Sequence, residues 1–537
     1  MASALQSCPL LVPLRTRVPR RDTWPKVVCS VTKKQASDSH IDSSGGLVVG
    51  EEMQVTCHAL AFGGKGVCKA DSGGLVIFCE GALPQERLVL KVDKVHKRFA
   101  VAHKLQTLHP HEEAVEAPCP HFGGGCGGCT FQNLDYSAQI RHKQEQVVDL
   151  LQRVGKVSNA GDVVQPIVGA TQQFEYRNKT TFTYTVPTTR DSIPDGKDDE
   201  DDAGIGMLMK GQHDQIVSID TCLLQHPAAD RVLAFLAREL PPGSALAEAT
   251  KLQRLMIRAS DFPEGARKGS LGGLEVTGND GDGALRIMVA FITSEAGDSL
   301  QPVARALAAV HPEVVSVVNL HGPDEEEGVL FGARTLDMYM AGLVFSMSAK
   351  SFFQTNTSQG NQLVQVVQSA CQLQDDQSEV VLDLFCGAGL LGLSVAHRSR
   401  EVHGVELVAD AVRDARVNAE RNGLSNCHFH QGDLGKLAAD LGSIVPQPDV
   451  CIVDPARAGL PRALTRFLSK TLPPRLVYVS CNPATQARDI RDLCEGMVDR
   501  KTRKRRGGKY QLMSVVPVDM FPHTAHVETV AVLELAS

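Results

Sequence analysis

"VLDLFCGAGLLGLSVA", residues 381–396, decides the fold of the carboxyl-terminal part of this chain. The run Val381–Phe385 is apolar apart from Asp383, which is typical of a buried strand. Three glycines follow before the pattern becomes helical: Gly387, Gly389 and Gly392. Their G-x-G-x-x-G spacing lets a backbone turn approach a ligand closely. The segment therefore predicts a buried strand, a ligand-binding turn and a helix.

Strand and helix patterns alternate from about residue 350 onward. The candidate strands are Val380–Phe385, Glu401–Val405, Cys427–Gln431, Val450–Val453, Leu476–Ser480, Gln511–Val518 and Val527–Leu535. Helical stretches separate the first five of them. Such alternation is typical of a doubly wound α/β sheet. We therefore predict a Rossmann-like domain over residues 350–537.

The preceding regions have different patterns. Residues 46–110 read as short strands between Gly turns, with alternation in Met53–Cys57 and Arg87–Val92, which predicts a five-stranded barrel of the OB type. Residues 111–349 are predicted to form a central region, which contains an amphipathic helix at 135–155 and an α+β mixture of strands and helices over 175–350. The acidic stretch 190–202 is predicted to be a loop that interrupts a strand pair.

Composition narrows the class of protein. The chain has 537 residues, 43% apolar residues and a net charge of −7, which is normal for a globular protein of several domains. No uninterrupted apolar run is long enough to predict a membrane span. Because the body of the chain is mildly acidic, an RNA-binding face would have to be a local patch. "KTRKRR" (501–506) is one candidate for that patch, and a solvated surface loop is the alternative.

The amino-terminal residues resemble a targeting segment. Residues 1–34 carry seven Lys/Arg and one acid, Asp22, and their apolar stretch is short and interrupted by prolines. This composition favours an organellar transit peptide over a secretory signal. We therefore expect residues 1–45 to be a transit peptide and linker, with chloroplast as the expected location. A mitochondrial location and a plain disordered tail are the alternatives.

Three acidic residues favour S-adenosylmethionine (SAM) as the ligand of the glycine turn. Asp383 lies where a carboxylate would attract a cationic amino-acid group and repel a pyrophosphate. Glu406, at the end of the next strand, is suitably placed for ribose hydroxyls, and Asp433 follows the third strand, where adenine would lie. A dinucleotide such as NAD and a plain tight βα turn are the alternatives.

The fourth and fifth strands end in the candidate catalytic residues. Asp454 follows the fourth strand in "CIVDPARAGL", and Cys481 follows the fifth in "VYVSCNP". Ligands of open α/β sheets bind beyond the carboxyl ends of the strands, so both side chains are expected in the SAM crevice. An inert buried thiol is the alternative role for Cys481.

A thiolate beside a methyl donor suggests methylation of a pyrimidine. Thiolate addition at C6 creates an enolate that makes C5 nucleophilic, and after methyl transfer a base must remove the C5 proton. Glu528, in an otherwise apolar strand, is the candidate base because burial would raise its pKa. His523 and His526 are competing bases, and a partner-satisfied strand residue is the alternative role for Glu528.

At this point the motifs carry a family resemblance. "FFQTN" (352–356), "LDLFCGAG", "VDPARAGL", "VSCNP" and "FPHTAHVE" occur in an order that resembles the RNA uracil-C5 methyltransferases. The resemblance implies Cys481 as nucleophile and Glu528 as the base that removes the C5 proton. It also implies a set of positions that contact SAM or uracil, namely Gln354, Phe385, Glu406, Asp433 and Asp454. Leu390 departs from the family pattern, which often has a polar residue there.

A cysteine cluster suggests a metal site. "CPHFGGGCGGCTFQ" (119–132) contains Cys119, Cys126 and Cys129, whose spacing could wrap a zinc ion or an iron–sulfur cluster with a fourth ligand. The ribosomal-RNA branch of the same family is similar in having a TRAM barrel and a four-cysteine [4Fe–4S] motif. That resemblance implies a [4Fe–4S] cluster with Cys222 as fourth ligand, although the first spacing is one residue longer than is common.

The expected function is therefore SAM-dependent formation of 5-methyluridine in RNA, with organellar large-subunit ribosomal RNA favoured as partner. The target uracil would have to leave its stack to reach Cys481, and Phe352 is a candidate stacking surface. A monomer without membrane association is expected. A tRNA uracil-C5 methyltransferase and a non-catalytic RNA-binding or assembly factor are the alternatives.

Overall fold

The computed structural model describes residues 47–69, 75–184, 204–210, 215–241, 243–261, 285–323, 325–437, 442, 445–498 and 505–536. The chain divides into two compact units, Met1–Ala59 with Gly66–Pro110, and Leu60–Lys65 with His111–Ser537. Within the described ranges, no helix combines the length and apolar character needed to cross a membrane. The predicted transit segment 1–45 and acidic loop 190–202 lie outside the described residues.

The first unit is a closed five-stranded barrel, as the alternation predicts. Its strands are β1 (Glu52–Leu60), β2 (Gly66–Lys69), β3 (Val76–Glu80), β4 (Arg87–Val95) and β5 (Phe99–His109), in the order β1-β2-β3-β5-β4 with β4 pairing back onto β1. Alternate residues point inward, so that Met53, Val55 and Cys57 are buried while Gln54 and Thr56 are partly exposed. The period-2 pattern is therefore the pattern of the barrel interior.

The second unit begins with two helices and an antiparallel-rich sheet. These elements are α1 (Tyr136–Arg153), α2 (Ala160–Val163), β6 (Lys179–Tyr184), β7 (Ile205–Leu208), β8 (Ile216–Ser218), α3 (Pro227–Glu239), α4 (Ala245–Thr250), β9 (Leu252–Ser260), β10 (Arg286–Thr293), α5 (Gln301–Val310), β11 (Val314–His321) and β12 (Glu326–Gly332). The sheet order is β12-β11-β10-β9-β6-β7-β8, with α3 and α5 packed on one face. The predicted amphipathic helix at 135–155 is α1. Its amino terminus is capped by Asp135, whose side chain accepts from the Ser137 N–H.

A seven-stranded, doubly wound sheet forms the rest of the second unit. Its elements follow the hairpin β13 (Leu336–Met340) and β14 (Leu343–Met347). They are α6 (Thr357–Cys371), β15 (Val380–Leu384), α7 (Leu390–Val395), β16 (Glu401–Glu406), α8 (Ala409–Arg421), β17 (Cys427–Gln431), α9 (Leu434–Leu437), β18 (Val450–Val453), α10 (Arg462–Thr471), β19 (Arg475–Ser480), α11 (Pro483–Cys494), β20 (Gly496–Val498), β21 (Arg505–Gly507), β22 (Tyr510–Val518) and β23 (Glu528–Leu535).

The strand order of this sheet is β17-β16-β15-β18-β19-β23-β22. The first five strands are parallel, and β23 inserts antiparallel between β19 and β22. Apolar cores cover both faces, as expected for parallel strands buried on both sides. This arrangement confirms the predicted Rossmann-like fold, and each of the seven predicted strands ends within one residue of an observed strand end.

Candidate functional site

The carboxyl ends of the parallel strands meet at one edge of the doubly wound sheet. Leu384 at the end of β15 pairs with Val405 of β16 and with Val453 of β18, and Val453 in turn pairs with Tyr478 of β19. The residues that follow these strands are therefore brought to a common edge. Glu406, Asp454 and Cys481, which the sequence predicts at this edge, lie at or directly after these strand ends.

A cleft opens at this edge above the glycine turn. It holds about 460 Å³ of empty space, and its lining includes Phe352, Gln354, Asp383, Phe385, Leu390 and Asp454. Phe352 is 67% exposed at the rim, whereas Gln354 is buried. Phe385 has a left-handed backbone, with φ +64°, at the sharp turn out of β15. Gln354, Phe385 and Asp454, three of the five positions that the resemblance implies, thus line one cleft together with Asp383.

Asp383 supplies a buried carboxylate at the base of this cleft. Its Oδ2 accepts from the Gly392 N–H at 2.8 Å, and a Cβ at position 392 would also lie 2.8 Å from that oxygen, so the close approach requires glycine. Its Oδ1 is buried and has no hydrogen-bond partner among the described residues. Burial raises the pKa of Asp383 to about 7. An orphaned acceptor of this kind suits a cationic ligand group.

Glu406 and Asp433 stand at the neighbouring strand ends. Glu406 accepts from the backbone N–H groups of Gly387 at 3.1 Å and Val408 at 2.8 Å, which fixes its carboxylate against the glycine turn. Asp433 accepts from the Gly435 N–H at 2.8 Å at the start of α9. Both side chains are partly exposed. Because each carboxylate oxygen has two lone pairs, both residues keep acceptor capacity for ligand hydroxyl or amino groups.

Cys481 and Glu528 are brought together by strand register. Ser480 of β19 pairs with Thr529 of β23, so the next residues outward, Cys481 and Glu528, stand opposite each other. Glu528 is 7% exposed, and its burial raises its pKa to about 8, with Asp454 adding to the rise. Burial also raises the pKa of Asp454 to about 7. A thiol and two hard-to-ionise carboxyl groups therefore share this end of the cleft.

Arg457 is a residue of the site that sequence reasoning missed. It opposes the upward pKa shifts of both Cys481 and Glu528, because a nearby cation favours their charged forms. Its carbonyl accepts from Asn482 Nδ2 at 2.9 Å, which ties the loop after β18 to the residue that follows Cys481. The available signal was its position in "VDPARAGL", three residues beyond Asp454 at the carboxyl edge.

His523 and His526, the two alternative candidates for the base, lie in different surroundings. His523 is buried and stacks on Phe174 with 4.3 Å between ring centroids, and its Nδ1 lies 3.1 Å from Gln139 Nε2. Burial lowers its pKa to about 4, so the ring is neutral. His526 is exposed, and its Nδ1 lies 3.5 Å from Nη2 of Arg457. This geometry fits a packing role for His523.

The four cysteines of the predicted cluster line one cavity. Cys119, Cys126, Cys129 and Cys222 are all partly buried around about 440 Å³ of empty space. Gln132 braces the loop, because its Nε2 donates to Cys129 Sγ at 3.1 Å and its Oε1 accepts from the Cys119 N–H at 3.2 Å.

Within the described residues, no group of three His, Cys, Asp or Glu side chains is arranged to hold a metal ion. Four cysteine thiolates are a ligand set that both a zinc ion and a [4Fe–4S] cluster accept. The ligand roles of the four cysteines therefore remain a prediction.

Comparison with known proteins places this chain in a family. A family model described as a methyltransferase domain matches residues 375–504. The chain is 35% identical over 499 residues to an uncharacterized RNA methyltransferase of Halalkalibacterium halodurans, with 90% of this chain and 97% of the relative covered. It is 33% identical over 486 residues to one of Chlorobaculum tepidum, with 86% and 92% covered.

Among solved structures, the Pyrococcus abyssi tRNA (uracil-54, C5)-methyltransferase in complex with S-adenosyl-L-homocysteine has a TM-score of 0.61 to this chain. The match covers 89% of this chain and 98% of that chain at 23% identity, which shows a shared fold. The two relatives found by sequence show more than a shared fold. Because their identity extends over nearly the whole length of both proteins, the chain belongs to the family of RNA methyltransferases.

Proposed function

We propose that this protein methylates C5 of uracil in RNA, with SAM as methyl donor. The observation that carries the proposal is the register of β19 and β23, which sets Cys481 opposite Glu528 beside an acid-lined cleft. A nucleophile, a base and a cofactor cleft are the three parts that the reaction requires. The uracil-C5 activity named for the Pyrococcus abyssi enzyme of the same fold is consistent with this choice.

The cofactor cleft fits SAM through its carboxylates. SAM supplies an electrophilic methyl group when bound. Asp383 would accept from its amino group with the orphaned Oδ1, Glu406 would accept from the ribose hydroxyls, and Asp433 would face the adenine. Phe385 and Gln354 would complete the walls, with Asp454 between the cofactor and the uracil. An acid-lined cleft of this kind disfavours a pyrophosphate cofactor such as NAD.

Cys481 would open the reaction. Its thiolate adds to uracil C6 and forms an S–C6 bond, and the electron pair of the C5–C6 double bond moves toward O4 and C5. C5 then forms a bond to the methyl carbon while the sulfur–methyl bond of SAM breaks, and S-adenosylhomocysteine is the leaving group. Phe352, exposed at the rim of the cleft, offers a stacking surface for the flipped base. At this stage C5 carries both a proton and the new methyl group.

Glu528 would close the reaction. Its carboxylate removes the C5 proton, the C5–C6 double bond re-forms, and the S–C6 bond breaks to release the Cys481 thiolate. Burial raises the pKa of Glu528 to about 8, which makes its carboxylate a stronger base than an exposed one. Methylated uracil leaves with Cys481 again a thiolate, and Glu528 returns to its starting state when it releases the proton to solvent.

The four cysteines Cys119, Cys126, Cys129 and Cys222 would hold a [4Fe–4S] cluster. Methyl transfer moves no net electrons, so we assign the cluster a structural or RNA-positioning role. Together with a TRAM-like barrel at residues 46–110, this feature favours ribosomal RNA as the substrate. The composition of residues 1–45 supports an organellar, chloroplast location, and the resemblance to the ribosomal-RNA branch supports large-subunit ribosomal RNA as the substrate. The substrate named for the Pyrococcus abyssi protein makes tRNA the second candidate.

Labelled SAM tests the proposal directly. The purified protein is incubated with unmodified organellar ribosomal RNA or tRNA, in parallel with Cys481→Ala and the control Cys427→Ala, a partly buried thiol at the start of β17. We expect transfer to C5 by the wild type and the control, and none by Cys481→Ala. An RNA with 5-fluorouridine should trap a covalent adduct. Absence of transfer to either RNA would leave a non-catalytic RNA-binding factor as the remaining function.

A further inference from the structure

The loop that leads to Glu528 is held by a distant part of the chain. This loop, residues 519–527 between β22 and β23, is here called the base loop. Its first residue, Asp519, is buried with its Oδ1 2.6 Å from Nζ of Lys143, and its Oδ2 accepts from the Tyr136 hydroxyl at 2.8 Å. Lys143 also donates to the Phe521 carbonyl at 3.1 Å. Side chains of helix α1 thus bind the start of the base loop.

The contact between Lys143 and Asp519 is an ion pair that is almost fully buried. The Lys143 and Asp519 side chains are 1% and 0% exposed. A buried ion pair contributes little net stability compared with apolar residues of similar size, because both charges lose their hydration. What such a pair supplies is a fixed arrangement, since only one placement satisfies both charges. A role in positioning the base loop therefore explains the buried ion pair better than a contribution to stability does.

The middle of the base loop is held by the segment that follows Cys129. The His523 carbonyl accepts from the backbone N–H groups of Thr130 at 2.8 Å and Phe131 at 3.0 Å. The His523 N–H donates to Gln139 Oε1 at 3.0 Å. His523 is left-handed, with φ +65°, a conformation that a side chain disfavours and that these bonds maintain. Residues 130–143, here called the anchor segment, therefore contact the loop at both its start and its middle.

We propose that the anchor segment is a positioning element for the catalytic base, with Gln139 and the Lys143–Asp519 pair holding Glu528 at the correct place against the C6-bound uracil. The proposal rests on the proposed function of Glu528. It predicts that weakening the anchor impairs proton removal and leaves the thiolate addition intact, because Cys481 lies in the turn between β19 and α11 and takes part in none of these hydrogen bonds. The segment also joins the cysteine-lined cavity to the base, because Thr130 is adjacent to Cys129.

Three variants test this assignment. Gln139→Leu removes the contacts to His523, and Lys143→Met with Asp519→Asn removes the charge pair without leaving a lone buried charge. Arg141→Met is the matched control, since Arg141 lies on the same helix and pairs with Glu113 instead of the base loop. Each protein is assayed for adduct formation with 5-fluorouridine RNA and for tritium release from C5-tritiated RNA.

We expect the first two variants to form the adduct within about 2-fold of the wild-type rate and to release tritium about 10- to 100-fold more slowly, as a small misplacement of a catalytic group would cause. The control should match the wild type in both steps. An equal loss in both steps, or no loss in either, would overturn the positioning role.

Amide hydrogen exchange in residues 519–527 gives a readout that needs neither RNA nor SAM. Exchange there should accelerate in Gln139→Leu and in the double variant, while β19 stays protected, and unchanged exchange in the base loop would refute the anchor. If the wild type shows neither adduct nor tritium release, the proposed function fails. The exchange measurement would then still decide whether the anchor segment holds the loop.

Discussion

Burial raises the pKa of the Cys481 thiol, and the Glu528 carboxylate opposite it raises that pKa further. The proposed base therefore opposes ionisation of the proposed nucleophile, while Arg457 favours it. In the proposed reaction Cys481 acts first, and Glu528 acts only after methyl transfer. Their coupling gives the reaction a measurable dependence on pH.

The rate of adduct formation with 5-fluorouridine RNA should rise with pH and reach its midpoint above the ordinary thiol pKa of about 8.5. In Glu528→Gln an anion beside the thiol is lost, so the midpoint should move to lower pH. Glu534→Gln is the matched control, because Glu534 lies on the same strand but pairs with Arg475. A midpoint that rises in Glu528→Gln would contradict the coupling.

The same Glu528→Gln variant should behave differently on ordinary RNA. Without a base the methylated intermediate keeps its C5 proton and the S–C6 bond cannot break, so a covalent protein–RNA complex should accumulate. Denaturing gels with labelled SAM would show a band that carries both RNA and methyl label. Wild type and Glu534→Gln should turn over instead. Free 5-methyluridine from Glu528→Gln at the wild-type rate would assign the base elsewhere.

Asp383 should make SAM binding depend on pH. Its pKa is raised to about 7, and a cationic ligand group favours its ionised form, so binding should release a proton below pH 7 and tighten as pH rises from 6 to 8. Asp383→Asn should weaken binding by about 1.5–3 kcal/mol and flatten this profile. Titration calorimetry in buffers of different ionisation enthalpy measures both effects.

The control for Asp383 is Asp449→Asn, which alters a residue at the opposite end of the same strands. Asp449 Oδ2 accepts from the Val380 N–H at 2.8 Å, so it makes a backbone contact comparable to that of Asp383 but far from the cleft. Its SAM affinity and pH profile should equal those of the wild type. Equal weakening in both variants would show a loss of fold and not of a ligand contact.

Phe352 should affect RNA and not the cofactor. Stacking of a base on an aromatic ring contributes about 1–3 kcal/mol, so Phe352→Ala should raise KM for RNA about 10-fold and leave the Kd of SAM unchanged. Because the ring is 67% exposed, its loss should cost little stability. Phe352→Tyr should retain the wild-type KM. A change in SAM affinity with no change in KM for RNA would place the ring in the cofactor site.

The location of the residues that follow the parallel strands could be predicted from sequence, because the same topological rule applies to all of them. Asp383, Glu406 and Asp454 lie at or after short buried runs, and strand ends of a parallel sheet share an edge. The pairing of Cys481 with Glu528 was predicted from chemistry, yet its register depends on β23 lying between β19 and β22. Neither alternation nor apolar content specifies that insertion.

Contacts between distant segments could not be predicted. Lys143 and Asp519 are 376 positions apart, and each looks in sequence like an ordinary charged residue of a helix or a loop. Periodicity describes one element at a time, whereas this pair exists only because α1 packs beside the end of β22. Arg457 was missed for a similar reason, since a cation near a thiol is recognised by distance and not by spacing in the chain.

The insertion of β23 has a consequence for how the enzyme becomes competent. Strand β23 follows β22 in the chain and pairs with it, and β19 has an unpaired edge until β23 also pairs with β19, which joins segments that are distant in sequence. Glu528 is the first residue of that strand. In the proposed reaction, a molecule with the thiol but without the carboxylate would form a covalent RNA adduct that it could not release. Because the strand that completes the sheet also carries the proposed base, completion of the sheet and the ability to release the product would be gained in the same step.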